Sequence, residues 1–293
     1  MYDICCIGHI TLDKIVTPGN EVHMPGGTSF YFSNAIRNMD VSYHLVTALA
    51  VTESALVASL RAKEIDVSVM PSKHTVFFEN IYPAGSDHRI QKVSQKADAF
   101  TVDYLAKTEA LIFHLGPLLA DDIPAELIIF LASKGAVSLD VQGYLREVRN
   151  GDVFAIDWPA KKKLLPYIDI LKANESEMEM LTGQTEPRKA AKLLFEWGTK
   201  EIIITLGSKG SLIYKDEIFY EIPAFRPTAV TDATGCGDTY MAGYLYQRSK
   251  GRSIQYAGEF AAAMATLKIE SSGPFTGTEE DVVKLMHGMP ASS

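Results

Sequence analysis

Residues 232–238 read Asp-Ala-Thr-Gly-Cys-Gly-Asp and lead into Thr239-Tyr240-Met241-Ala242-Gly243, so an extended segment passes into a helix near Gly237. Glycines on either side of Cys236 permit positive φ and let backbone approach a ligand closely. A helix N-terminus directs free N–H groups and about half a positive charge outward. Together these make an anion site suited to a phosphate whose charge rises as it is transferred. Asp238 falls in the first helical turn, where a carboxylate can take the proton of an attacking hydroxyl. The same position also suits an acid that only complements the helix dipole, worth about 0.3–1 kcal/mol. Spacing alone does not separate the two.

The elements that must position this segment alternate. Apolar runs at Asp3 to Ile10, Tyr43 to Ala48, Ala110 to Leu115, Ala136 to Val141, Ile168 to Lys172 and Glu201 to Leu206 read as strands. Helical periodicity lies between them, at Ser29 to Asn38, Glu53 to Ala62, Pro124 to Ser133, Glu175 to Leu181 and Arg188 to Trp197, and the C-terminal third is helical. Near-continuous apolar strands separated by helices predict a mostly parallel sheet covered on both faces, with ligands beyond the strands' carboxyl ends. From Asp66 to Val93 the alternation stops: Val67 to Met70, Thr75 to Tyr82 and Arg89 to Val93 read as consecutive strands around a Pro83-to-Asp87 turn. Such strands suit a small antiparallel flap, to which Lys14 to His23 adds: a lid over a substrate, or a decorative hairpin or dimer contact. The hairpin at Ser211 to Ile222 reads as structural.

Composition bounds the rest. The 293 residues are 47% hydrophobic and 22% charged, enough for a sizeable core, and carry 36 acids against 28 bases, a net charge of −8. Without a basic block, nucleic acid and anionic membrane are poor partners, and phosphate must be held by backbone N–H groups and a metal ion. No stretch reads as a targeting or membrane-spanning segment. The cysteines Cys5, Cys6 and Cys236 lack zinc spacing; the first two, adjacent in a strand, point to opposite faces as buried thiols. This composition suits a reducing, cytoplasmic setting.

Asp232 to Asp238 resembles the C-terminal signature of the ribokinase-like (PfkB) carbohydrate kinases, commonly D-T-x-G-A-G-D, with Ala233 and Cys236 as small replacements. The resemblance implies a three-layer sandwich over residues 1–293 as one domain, with a central mostly parallel sheet, helices on both faces and a β lid from about 14–24 and 66–96. It implies an ATP-dependent kinase acting on a hydroxyl of a small sugar or polyol, or of a nucleoside. Asp238 would be the catalytic base, and the N–H groups of Gly235, Cys236 and Gly237 the anion hole. Pro25-Gly26-Gly27 resembles the N-terminal signature, where Gly26 and Gly27 let the chain approach the sugar. Asp13 resembles the family's substrate-binding Asp. The segment Leu139 to Arg146 resembles one that brings Asp140 and Arg146 near the transferred phosphate.

Asn174-Glu175-Ser176-Glu177 resembles N-x-x-E, whose Glu, here Glu177, acts through water on Mg²⁺; the loop of Thr205, Gly207 and Gly210 resembles the one packed on ATP, and Ala263 and Gly273 the helix and loop bordering the adenine. The implied cofactors are ATP and Mg²⁺, and the family reading admits a monovalent cation such as K⁺; the implied partner is a small molecule, with a homodimer through the lid left open. Blander readings stand beside these. Asp13 also suits a turn acid, Asn174 and Glu177 a helix-capping pair, and Arg146 the surface. After Gly27, either Tyr31 or Asn34 can meet the acceptor, and Phe30, Tyr31 and Phe32 suit a stacking pocket or a core helix. A non-catalytic binding protein on this scaffold is the alternative of a different class. The absence of Gly-x-x-x-x-Gly-Lys-[Ser/Thr] and Gly-x-Gly-x-x-Gly strings speaks against a P-loop enzyme and a dehydrogenase.

Overall fold

The computed structural model describes residues 1–81 and 90–288; the expected Pro83-to-Asp87 turn lies outside them. The strands are β1 (Tyr2–Ile7), β2 (Thr11–Thr17), β3 (Asn20–Gly26), β4 (Tyr43–Ala50), β5 (Val67–Ser72), β6 (Val76–Ile81), β7 (Ile90–Gln95), β8 (Ala110–Leu115), β9 (Ala136–Asp140), β10 (Arg146–Arg149), β11 (Asp152–Ala155), β12 (Ile170–Asn174), β13 (Glu201–Thr205), β14 (Ser211–Lys215) and β15 (Ile218–Ile222). The helices are α1 (Thr28–Ile36), α2 (Ser54–Ala62), α3 (Val102–Leu105), α4 (Ala125–Ala132), α5 (Lys161–Leu164), α6 (Glu175–Thr182), α7 (Pro187–Glu196), α8 (Cys236–Ser249), α9 (Ile254–Ile269) and α10 (Glu279–Met286).

Nine strands form one sheet in the order β15-β14-β13-β12-β9-β8-β1-β4-β5. From β5 to β13 the pairs are parallel, and the β14–β15 hairpin closes the edge antiparallel. Alternation across the pleat divides the core between the two faces. Cys6, Ile4, Ile112 and Ile203 pack with α1, α8 and α9, while Cys5, Ile7, Phe113 and Leu139 pack with α4, α6 and α7. The result is the three-layer α/β sandwich, and Cys5 and Cys6 are fully buried free thiols on opposite sides. Wholly buried Phe32 and Phe113, one on each face, each contribute about 1.5–3 kcal/mol of burial.

A second, six-stranded sheet runs β10-β11-β7-β6-β2-β3. Its membership corrects the sequence expectation of a flap from 66–96. Residues 67–72 belong to the large sheet, where β5 lies parallel to β4. The reason is local: α2 precedes β5 and supplies the crossover a parallel neighbour requires, so the run of consecutive strands starts only at β6. The hairpin expected over 14–24 extends to Thr11–Gly26, and β10 and β11 join the sheet although their sequence carries no apolar strand pattern. No helix among the described residues is long and apolar enough to cross a membrane.

Candidate active site

A cavity of about 1510 Å³ lies over the carboxyl ends of the parallel strands, where the small sheet overhangs the large one. Asp13, Asn80, Gln91 and Arg146, from four strands of the small sheet, line one part. Asn174, Thr205, Gly207 and Gly210 line another, at the ends of β12 and β13 and in the loop beyond. Between them stands the start of α8, from Gly235 to Asp238.

That start is built without a side-chain cap. Gly235 is the N-cap, in the left-handed region at φ 77°; a Cβ there would drive into the Tyr31 ring, so the position requires glycine twice over. The Cys236 N–H turns to the Ala233 carbonyl at 3.2 Å, closing a tight turn into the helix, so it is not directed at the cavity as the sequence reading expected. Among the described residues the N–H groups of Gly235 and Gly237 have no acceptor, and these remain for an anion.

Asp238 faces the cavity with its carboxyl deeply set. Burial first, then the negative charge of Asp140, raises its pKa to about 7, while Lys172 and a hydrogen bond from Thr28 pull the other way. Lys172 lies beneath. Its ammonium donates to Asp140 Oδ2 at 2.9 Å and stands 3.8 Å from Glu177 Oε2, and all three residues are under 10% exposed. Burial would lower its pKa, but Asp140 and Glu177 outweigh that and hold it above the ordinary lysine value. Nearby His114, fully buried and stacked on Phe32, is held down at about 4 by burial and is neutral near pH 7. The floor thus carries three carboxylates around one buried ammonium.

Lys172 escaped the sequence reading, which treated it as the end of an apolar strand. The signal was present: a lysine inside a buried parallel strand needs a carboxylate partner. Lys172→Met will destabilise the fold by about 3–5 kcal/mol at pH 8, because it leaves buried charge uncompensated. The loss will shrink at pH 6, where raised carboxylate pKa values let the native state take up protons. Urea unfolding at the two pH values checks this, and an equal loss at both contradicts it.

The remaining expected residues divide. Asp13 accepts a 2.6 Å hydrogen bond from the Thr11 hydroxyl and lines the cavity with Gly27, Arg146 and Gly273. Gly26 does not line it; it pairs with Thr11 across β2 and β3, and its missing side chain leaves room for the Asp13 carboxylate. Glu177 is likewise set back. It forms a capping box with Asn174, its Oε2 accepting the Asn174 N–H at 2.8 Å while Asn174 Oδ1 accepts the Glu177 N–H at 2.9 Å. Burial raises its pKa.

Two expectations are corrected. Asn34 is 1% exposed and does not reach the cavity: its amide donates to the Phe30 carbonyl at 2.8 Å and accepts from Lys63 at 3.2 Å. Tyr31, three residues earlier on α1, lines the cavity instead. Ala263 points into the core, and Ala262, Ala265, Thr266 and Ile269 form the cavity face of α9 at helical spacing.

Comparison with known proteins follows the same lines. The model of the pfkB family carbohydrate kinases matches residues 90–281. The cytidine kinase of Thermococcus kodakarensis is 28% identical over 269 residues, 87% of this chain and 91% of its own. A pyrophosphate-dependent kinase in the ribokinase family, solved with a pyrophosphate analog and myo-inositol, superposes with a TM-score of 0.86 at 30% identity, covering 96% of this chain and 99% of that one. The ribokinase of Arabidopsis thaliana, solved with ribose and ATP, shares the fold with a TM-score of 0.80 at 22% identity, covering 97% and 98% of the two chains.

Proposed function

The chain belongs to the pfkB family of carbohydrate kinases, and on that premise we propose that it transfers the terminal phosphoryl group of ATP to a hydroxyl of a small sugar or polyol, with Asp238 as base. The observation that carries the reading is the Asp238 carboxyl, raised to about 7 at the mouth of an uncapped helix N-terminus, in one cavity with both groups of polar side chains.

In this reading the small sheet is the acceptor side and the lid. Asp13, Asn80, Gln91 and Arg146 offer carboxylate, amide and guanidinium groups, a set that both donates to and accepts from the hydroxyls of a polyol. Asn174, the loop around Gly207 and the α9 face of Ala262, Ala265 and Ile269 form the donor side, with small apolar residues where a base can lie flat. Asp238 takes the hydroxyl proton as the oxygen attacks in line, and the Gly235 and Gly237 N–H groups receive the phosphoryl charge. Closure of the lid excludes water, which would otherwise act as acceptor.

Mg²⁺ fits here as a companion of the donor phosphates. Asp140, Glu177 and Asp238 present more negative charge than Lys172 offsets, while among the described residues no three His, Cys, Asp or Glu side chains form a cage. When bound, the ion would neutralise phosphate charge; in this reading Asp140, from the cavity wall, and Glu177, set behind it, would hold its water.

A nucleoside acceptor is favoured by the match to a cytidine kinase across 87% of the chain, and pyrophosphate as donor by the 30% identical pyrophosphate-dependent kinase. Initial rates with ATP or pyrophosphate across ribose, fructose, myo-inositol, cytidine and adenosine distinguish these; turnover only with nucleosides, or only with pyrophosphate, replaces the corresponding half of the proposal. The pH dependence tests Asp238 itself. Because the base must be ionised, kcat/KM will rise with pH and reach half its plateau near the Asp238 value of about 7. Asp140→Asn removes a neighbouring negative charge and will move that limb down by roughly one pH unit. A profile flat from pH 5.5 to 8 contradicts the assignment.

A further inference from the structure

Lys268, in the last turn of α9, is wholly buried. Its ammonium donates to the Asp232 carbonyl at 2.7 Å and to the Ser271 carbonyl at 3.4 Å, and lies 3.2 Å from Asp232 Oδ2. A buried ammonium is costly unless oxygens replace its hydration shell. Here two backbone carbonyls and a carboxylate do so, and the helix C-terminus adds its partial negative charge. Backbone carbonyls with a carboxylate are also what a protein offers to a dehydrated monovalent metal cation.

The oxygens belong to two loops that meet beside the donor part of the cavity. Asp232 ties them together. Its Oδ1 accepts the Thr234 N–H at 2.9 Å, and its Oδ2 faces Lys268 and accepts the Gly273 N–H at 3.3 Å. The Thr231 N–H donates to the Ile269 carbonyl at 2.8 Å and its hydroxyl to the Glu270 carbonyl at 3.0 Å. Three residues beyond Asp232 lies Gly235, the N-cap of the anion site. Whatever holds the Asp232 oxygens therefore sets the path of the chain into Gly235.

The family resemblance admits a monovalent cation such as K⁺, and the residues around Asp232 do not fit one, because the ammonium of Lys268 already stands among the oxygens that would hold it. We infer that Lys268 is a tethered monovalent cation, pinning the 231–235 and 270–273 loops so that the kinase works without K⁺. Lys268 touches no reacting atom in this arrangement. It is a positioning residue acting through Asp232, and the inference rests on the proposed reading of Gly235 to Asp238 as the phosphoryl site.

The test compares the full-length protein in potassium, sodium and tetramethylammonium chloride at one ionic strength, reading both unfolding temperature and kcat. The wild type is expected to be indifferent to the salt by both readouts. Lys268→Ala opens a space among the same oxygens; it is expected to lose about 10²-fold in kcat in tetramethylammonium and to melt roughly 10 °C lower, with the acceptor KM little changed. Potassium or methylammonium chloride should restore both quantities in part, by binding the native state. Lys268→Met fills the space without a charge and should fall as far without being rescued.

Activation of the wild type by K⁺, or a rise in its unfolding temperature specific to K⁺, overturns the inference, as does a Lys268→Ala protein indifferent to both rescuing cations. If the alanine variant does not fold in any salt, the wild-type comparison decides alone. A wild type with no turnover on any acceptor would instead defeat the kinase reading, and the unfolding temperatures would still report on Lys268.

Discussion

Asp238→Asn will lower kcat by roughly 10³-fold, leave donor affinity close to that of the wild type, and raise the unfolding temperature at pH 8. The substitution keeps shape and removes the base. The stability change follows from linkage. The folded pKa of Asp238, about 7, lies above the ordinary aspartate value of 3.8. Between those values the native state binds more protons than the unfolded chain, so stability contributed by this group falls as pH rises through the window and is lowest above it. A neutral amide escapes that loss, and its advantage should vanish as the pH approaches 4. An aspartate present only to complement the helix dipole would give the reverse pattern: lower stability at pH 8 and unchanged turnover. Differential scanning fluorimetry from pH 4 to 8 with parallel rate measurements separates the two.

Gly235→Ala will be nearly as damaging to turnover, by about 10²–10³-fold, and will also destabilise the fold. The residue sits at φ 77°, costing an L-residue about 1–2 kcal/mol, and its Cβ would enter the Tyr31 ring, adding about 1–3 kcal/mol of overpacking. Either the turn or α1 must move, and the N–H groups of Gly235 and Gly237 turn with it. Gly237 is less strict, since its φ is not positive and a Cβ there meets only the end of the Lys172 side chain, Nζ at 3.2 Å and Cε at 3.6 Å, which need shift by only a few tenths of an ångström. Gly237→Ala should therefore cost much less than Gly235→Ala. Equal effects in a steady-state comparison would contradict the geometry assigned to the turn.

The fold was legible where one element dictates the next. Apolar strands spaced by helices specified the parallel sheet, and adjacent Cys5 and Cys6 marked two opposite buried faces. β5 was misplaced because its sequence does not show whether a short apolar strand pairs with the strand before its helix or the one after its turn. β10 and β11, at Arg146–Ala155, are short and half exposed, so no apolar run marks them.

In the site, the Asp232-to-Asp238 string carried its own physical signal in glycine, helix start and acid. Ala263 failed because one residue on from Ala262 is a turn of about 100° around the helix, which carries it off the cavity face into the core. Asn34 shares the Tyr31 side of α1 but lies a turn further along, and its amide is held by the Phe30 carbonyl and Lys63, partners the sequence does not show. Lys172 and Lys268 were missed because their roles depend on partners distant in sequence, Asp140 for the first and Asp232 for the second. A charged residue in an otherwise apolar element was the available clue.

The most direct measurement of the central claim is ³¹P NMR of the purified protein with ATP, Mg²⁺ and each acceptor in turn, run beside Asp238→Asn. The account predicts a new phosphomonoester resonance with at least one sugar, polyol or nucleoside, growing in step with ADP and absent with the asparagine variant. An undiminished phosphomonoester signal from Asp238→Asn, or no such signal with any acceptor and either donor while ATP still binds, would contradict it.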